Sequence, residues 1–390
     1  MSRDLRLMSG AAFAGMLVFG IVMALLGAVL PPLSGRLQFS PAGIGTLFLT
    51  MNMAMLACSF VVGVVMDRFG MKLPLMAGPL LVAAALALIA RAAAFEQLLP
   101  AAAALGFGGG ALNAATNTLI AYLHHDERRK TSALNLLGVF FGFGALLMPF
   151  CVGALLASFG IGTLLMACAA LCAVIGVFPA ALRFPPPKQK HRLPFAEIPR
   201  FVRSPLALAI ALLLFFQSGI EFTLGGYIAT YLTASISMTV AAASWILAGY
   251  WGCVMAARAV LSKVRTGAAP ARFILGAAIS AAAGAAVAAL ATSPAVASFG
   301  ILLSGAALAG IFPTVLGIAG ARFQQHSGTV FGILFTIALT GGMLVPWISG
   351  NLAAVFGLRW VFGVVAICFL CIAVMSLIVA HLARPSEGKG

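Results

Sequence analysis

Twelve apolar runs, each long enough to cross a bilayer, follow one another through this chain with short connections between them. They fall at 10–34, 40–66, 73–95, 97–123, 131–158, 161–183, 204–233, 239–264, 271–292, 295–320, 327–354 and 358–384. A spanning helix needs about 20 apolar residues. In hydrocarbon such a run must satisfy its own backbone polar groups, which a helix does. The chain is 63% hydrophobic and 8% charged, against about a quarter charged in a soluble domain. The expected fold class is therefore all-α integral membrane, with twelve transmembrane helices and no soluble domain. The N-terminal MSRDLRLMSG runs directly into the first apolar run. That run exceeds the h-region of a cleavable signal peptide, so it reads as the first span.

The net charge is +15. A basic chain can bind nucleic acid, but here the basic residues sit in short loops between spans, and topology accounts for them. With the N-terminus inside, nineteen Lys and Arg fall on the cytoplasmic side, against Arg36, Arg91 and Arg359 outside. By the positive-inside rule both termini are cytoplasmic, in a cell (inner) membrane. The longest connection, FPPPKQKHRLPFAEIPRFVR at 184–203, is Pro-rich and basic. It reads as a cytoplasmic linker between six-helix bundles at 1–183 and 204–390, with PFAEIPRFV lying on the membrane surface. All seven cysteines fall inside apolar runs. Cys168/Cys172 and Cys368/Cys371 have helical spacing but no accompanying His or third Cys, so they read as small core residues and not metal ligands.

An internal repeat supports the two halves. Gly144, Pro149, Gly153, Phe159 and Gly160 in the fifth span match Gly341, Pro346, Gly350, Phe356 and Gly357 in the eleventh, every pair offset by 197 residues. Repeats of six spans are how many transporters place a substrate site between two rocking halves.

Glu221 is the lone acid within these spans; the other acids stand at ends or connections. A carboxylate at the bilayer centre costs about 3 kcal/mol and marks a functional site by default. No Lys or Arg lies within thirty residues after it on its hairpin. The expectation is a carboxyl without an intramembrane cation, which loads and releases a proton as water comes and goes. The competing reading is a permanently protonated group bonded to Gln217, one turn away, for helix packing.

Between the second and third spans stand Gly63, Asp67, Arg68, Gly70 and Lys72. This G-x3-D-R-x-G-x-[RK] loop resembles that of the major facilitator superfamily. Gly63 and Gly70 are expected to permit a tight turn and close helix approach, and Asp67 to accept from a neighbouring helix N-terminus. Together they read as a cytoplasmic gate, with Arg128 of the His124–Lys130 loop and Arg258, which follows Gly252 in the second-half counterpart. Within that superfamily the chain is most similar to the fucose permease, the fucose–galactose–glucose:proton symporter group. Asn113, Thr116, Asn117 and Asn135, then Gly219, Glu221, Gly225, Gly226, Tyr227 and Tyr231, then Tyr250, Trp251, Gly252 and Arg258, then Phe312, Pro313 and Thr314, carry that resemblance. It implies a monomer that moves a sugar with protons. The permease places acids in its first and fourth spans. Here the first has none and the fourth has Asn113, so either Glu221 carries proton coupling or the coupling is different.

Asn52, Asn113, Asn117, Asn135, Gln217, Tyr227, Tyr231 and Trp245 are the candidate substrate-binding residues, offering donors, acceptors and a stacking surface. Helix–helix hydrogen bonding is the alternative for each. Thr336 and Thr340 read as backbone-bonded packing residues. No G-x4-GK[ST] phosphate loop, Ser-His-Asp set or metal cluster presents itself, so neither an ATP-driven pump, nor an enzyme, nor a bound cofactor is expected. The leading function is a secondary transporter importing a small polar solute, a sugar, with protons; sodium is the alternative ion. A proton-driven exporter of amphipathic or drug-like compounds is the second reading. A receptor or scaffold is the third, opposed by the lack of a sensing domain.

Overall fold

The computed structural model describes residues 3–124, 126–184, 204–261, 270–323 and 327–382. The expected surface helix in the 184–203 connection lies outside the described residues. Every regular element described is helical. The order is α1 (Arg3–Leu37), α2 (Pro41–Phe69), α3 (Lys72–Arg91), a short 3-10 turn (Phe95–Gln97), α4 (Leu98–Leu123), α5 (127–159), α6 (161–177) and a second 3-10 turn (Phe178–Ala181). Then follow α7 (Pro205–Ala234), α8 (Val240–Leu261), α9 (Pro270–Leu290), α10 (Pro294–Leu308), α11 (Ile311–Arg322), α12 (Ser327–Phe356) and α13 (Arg359–Leu382).

Among the described residues, eleven helical segments are long and apolar enough to cross a membrane. One of them, Ser132–Ala181, is 50 residues long. At 1.5 Å per residue that is about 75 Å, more than twice the roughly 30 Å hydrocarbon core. Gly160 breaks it with φ 71° and ψ 159°, a conformation that favours glycine. α5 and α6 are thus separate spans, and the described residues hold twelve. Its repeat partner Gly357, at φ 94°, makes the corresponding turn between α12 and α13. The tenth span is the exception to continuity: α10 and α11 are separated at Ala309–Gly310.

The chain divides into two compact units. One comprises Met1–His191 with Gly225–Trp251; the other comprises Arg192–Leu224 with Gly252–Gly390. Inside each, a close helix crossing uses a glycine of the sequence repeat. In the first unit α1 crosses α5. A Cβ at Gly144 would lie 1.9 Å from the Leu17 carbonyl oxygen, and one at Gly20 would lie 2.0 Å from that of Phe141. In the second unit α7 crosses α12. A Cβ at Gly341 would lie 1.9 Å from the Phe215 carbonyl oxygen, and one at Gly219 would meet Val345 at 2.4 Å. Membrane helices gain by close packing and not by expelling water, so small residues mark such crossings. The offset of 197 residues therefore records one backbone-to-backbone contact made twice.

Candidate functional site

The polar chemistry of the second unit gathers at Glu221. Its carboxylate is 13% exposed. Gln217, one turn earlier on α7 and 1% exposed, donates from Nε2 to Glu221 Oε2 at 2.7 Å. Arg258 of α8 brings Nη2 to 3.8 Å from Glu221 Oε1. The expectation of a carboxyl with no cation beside it is corrected: Glu221 has Arg258.

Hairpin register explains the meeting. Glu221 stands about 20 Å back from the end of α7 at Ala234, and Arg258 about 27 Å on from the start of α8 at Val240. The remaining gap of about 7 Å is the reach of a long basic side chain. The residues are 37 apart in sequence yet nearly level across the hairpin. Arg258, expected at the cytoplasmic gate, stands beside the acid in this structure.

A second partner fixes the guanidinium. Arg258 Nε donates to the Ala309 carbonyl oxygen at 3.3 Å. That carbonyl is free for a reason written in the sequence. Pro313, four residues on, has no N–H to give it, and a proline ring displaces the carbonyl of residue i−4. The hydrogen-bond ladder is interrupted at Ala309–Gly310, and arginine supplies the missing donor. A cation at the C-terminal end of α10 also meets the negative pole of that helix. Pro313→Ala should restore the turn and compete with Arg258 for Ala309. Hydrogen exchange in a peptide spanning 309–314 should slow by about an order of magnitude; unchanged exchange would show that the proline is not what opens the helix.

The pair is loose. A separation of 3.8 Å is an ion pair without a hydrogen bond, unlike the bidentate fork arginine makes with carboxylates. The Arg258 side chain is 34% exposed. Among the described residues its Nη1 has no protein partner, and neither does the buried Gln217 Oε1. α12, packed on α7 through Gly341 and Val345, carries no titratable side chain.

The other candidates are scattered. On α4, Asn117 Nδ2 donates to Asn113 Oδ1 at 3.2 Å and to its carbonyl oxygen at 2.8 Å, so the two amides share a face, with Asn113 exposed. Asn135 is exposed on α5. Trp245 is 45% exposed, lies edge-on to Phe150 at 5.1 Å and covers Gly153. Three candidates are packing residues in this conformation. Asn52 is fully buried and donates to Phe48 O at 3.0 Å. Tyr227 is fully buried, its hydroxyl donating to Pro41 O at 2.9 Å. Tyr231 is fully buried as well. Thr336 and Thr340 bond the carbonyls of Gly332 and Thr336, as expected of packing residues.

In the α2–α3 loop, Gly70 adopts φ 81° and caps α2 by donating to Met66 O at 2.9 Å. Lys72 Nζ donates to Ala180 O at 2.7 Å and Leu182 O at 3.2 Å, tying the loop to the end of α6. The Arg68 guanidinium lies 5.5 Å from the Phe69 ring. Asp67 is half-buried in the last turn of α2. The close-approach role expected of Gly63 is corrected, since a Cβ there would meet nothing within 4 Å. The Arg128 side chain lies outside the described residues.

A profile of the Major Facilitator Superfamily matches residues 12–224, more than half of the chain. An uncharacterized MFS-type transporter of Mycobacterium tuberculosis strain H37Rv is 33% identical over 117 residues, which is 30% of this chain and 27% of that protein. The chain thus matches about a quarter of that relative's length. Among solved structures, a point mutant of the nucleoside transporter NupG superposes with a TM-score of 0.80 at 15% identity, covering 97% of this chain and all of that one. A bacterial homologue of the human lysosomal transporter Spinster, inward-facing and unoccupied, also gives 0.80, at 14% identity over the whole of both chains.

Proposed function

Because the chain belongs to the Major Facilitator Superfamily, it is a transporter and not an enzyme, and we propose that it imports a small polar solute of the sugar class, coupled to protons by alternating access. The observation that carries this reading is the Glu221 carboxylate between Gln217 and Arg258. A stranded acid that must shed its charge alone no longer fits that geometry. The working unit is a pair. In one state Glu221 is charged, Arg258 neutralises it and Gln217 donates to it. When a proton arrives, the pair dissolves, and Gln217 can turn its amide so that Oε1 accepts the new carboxyl O–H. The amide thus serves both ionisation states.

The resemblance to the fucose permease group supports a sugar-like solute. The nucleoside transporter, at 15% identity, carries the fold and not the substrate. Exposed Asn113, Asn135 and Trp245, with half-buried Asn117, are the polar candidates of the first unit. We place both termini in the cytoplasm of an inner-membrane monomer, on the loop charges. The six-helix halves at 1–183 and 204–390 rock about the linker between them. Counterflow in proteoliposomes with labelled sugars and cationic dyes tests the whole reading. Acid-outside uptake of a sugar or a sugar acid is expected; dye uptake without either would replace it with the exporter reading.

The α2–α3 loop is the cytoplasmic gate in this proposal. Lys72 holds the loop to the end of α6, leaving Asp67 to make and break contacts as the gate moves. Asp67→Asn should disfavour the outward-open state and slow turnover. Alkylation rates of cysteines introduced along the cytoplasmic cavity report this, and unchanged rates would remove Asp67 from the gate.

A further inference from the structure

We propose that the solute carries a carboxylate, which Arg258 receives in place of Glu221 when Glu221 takes a proton. This rests on the proton-coupled reading above and narrows its substrate to small hydroxy-carboxylates such as sugar acids.

Three features of the second unit converge on it. First, the guanidinium has five N–H donors in a planar fork. Here Nε serves Ala309 O and Nη2 stands 3.8 Å from Glu221 Oε1. The Nη1 edge has no protein partner among the described residues, and the side chain is about one-third exposed. An arginine whose fork is open, beside a carboxylate it does not hydrogen-bond, is available for exchange. Second, Ala309 O anchors the guanidinium independently of Glu221. Losing the ion pair therefore leaves Arg258 oriented and does not release it. Third, the Gln217 Oε1 acceptor is buried without a partner. An unpaired buried acceptor costs about 1–3 kcal/mol. A ligand hydroxyl, or the protonated Glu221, would supply the missing donor.

Charge balance sets the stoichiometry. With Glu221 ionised the pair is neutral. Protonating Glu221 takes one H⁺ from water and leaves Arg258 with an uncompensated charge. Among the described residues the charged group facing Glu221 is Arg258; α12 presents none, and Gln217 on α7 is neutral. No other acid on α7, α8 or α12 replaces the lost anion. One bound carboxylate restores neutrality, so one proton travels with one monovalent anion and the cycle moves no net charge. A neutral sugar would leave the arginine uncompensated in a site flanked by apolar helix, which is costly.

The test uses the purified full chain in detergent, with labelled D-gluconate and its uncharged twin D-glucose as probes. Gluconate should bind, with affinity rising as pH falls, and glucose should not. Glu221→Gln should bind gluconate about tenfold tighter at neutral pH and lose the pH response. Arg258→Gln should not bind. Where that variant fails to fold, Arg258→Lys, which keeps the charge and loses the fork, should weaken binding by about tenfold. Glucose binding as tight as gluconate, no binding of either, or full gluconate affinity in the arginine variants overturns the inference. Proton-driven glucose uptake overturns it while leaving the proton-coupled reading intact. Gluconate binding that ignores pH in the wild type overturns both.

Discussion

Glu221→Gln abolishes gradient-driven accumulation and leaves exchange of solute across the membrane in place. The amide is isosteric, keeps an acceptor for Gln217 Nε2, now 2.7 Å from the carboxylate, and removes the group that takes the proton. A carrier without its protonatable acid still rocks when loaded, so counterflow persists. It no longer draws on the proton gradient, so net accumulation falls to equilibrium with the outside. A variant that merely unfolded would lose both activities, because removing one partner of a buried ion pair strands the other charge. Here Arg258 keeps the Ala309 carbonyl and is one-third exposed, so the protein should remain folded. Accumulation and counterflow measured in the same proteoliposomes decide the matter. Full accumulation by the variant would remove Glu221 from the coupling.

The spans were legible because their signal is local. Twenty apolar residues bounded by charged loops fix a helix within a few positions, and α2, α4, α7 and α9 begin and end within three residues of the boundaries read from the sequence. The glycine repeat was legible as a pattern, and Gly144 and Gly341 prove to stand at equivalent helix crossings. The contact between Glu221 and Arg258 was not legible as distance along the chain. It depends on how α7 and α8 align across their hairpin, and a separation of 37 residues there amounts to a few ångströms of height. Pro313 was a readable clue to the freed Ala309 carbonyl, because the missing N–H falls on residue i−4 wherever a proline stands in a helix. What it could not tell was which donor would fill the gap. Tyr227 and Asn52 have carbonyl partners that residue type alone does not reveal. Polar side chains in apolar spans look like ligand contacts, yet here Pro41 O and Phe48 O absorb their donors.

The α7–α12 crossing sets which way Glu221 faces, and its most sensitive position is Gly341. A Cβ there would stand 1.9 Å from the Phe215 carbonyl oxygen and 2.6 Å from its carbonyl carbon. Both are backbone atoms, so no rotamer change relieves the clash. The helices must separate, and α7 carries Gly219 and Glu221 with it. Gly341→Ala should therefore destabilise the protein by about 3 kcal/mol or more, beyond the usual range for overpacking against side chains. Gly332, on the same helix, is the control, since a Cβ there meets nothing within 4 Å and alanine is the better helix former by about 1 kcal/mol. Gly144→Ala should repeat the loss in the first unit, where the Leu17 carbonyl takes the place of Phe215. Thermal unfolding in detergent, followed by size-exclusion recovery, separates the cases. Equal melting of Gly341→Ala and Gly332→Ala would mean that α7 and α12 do not cross backbone to backbone, and the orientation of Glu221 toward Arg258 would lose its structural support.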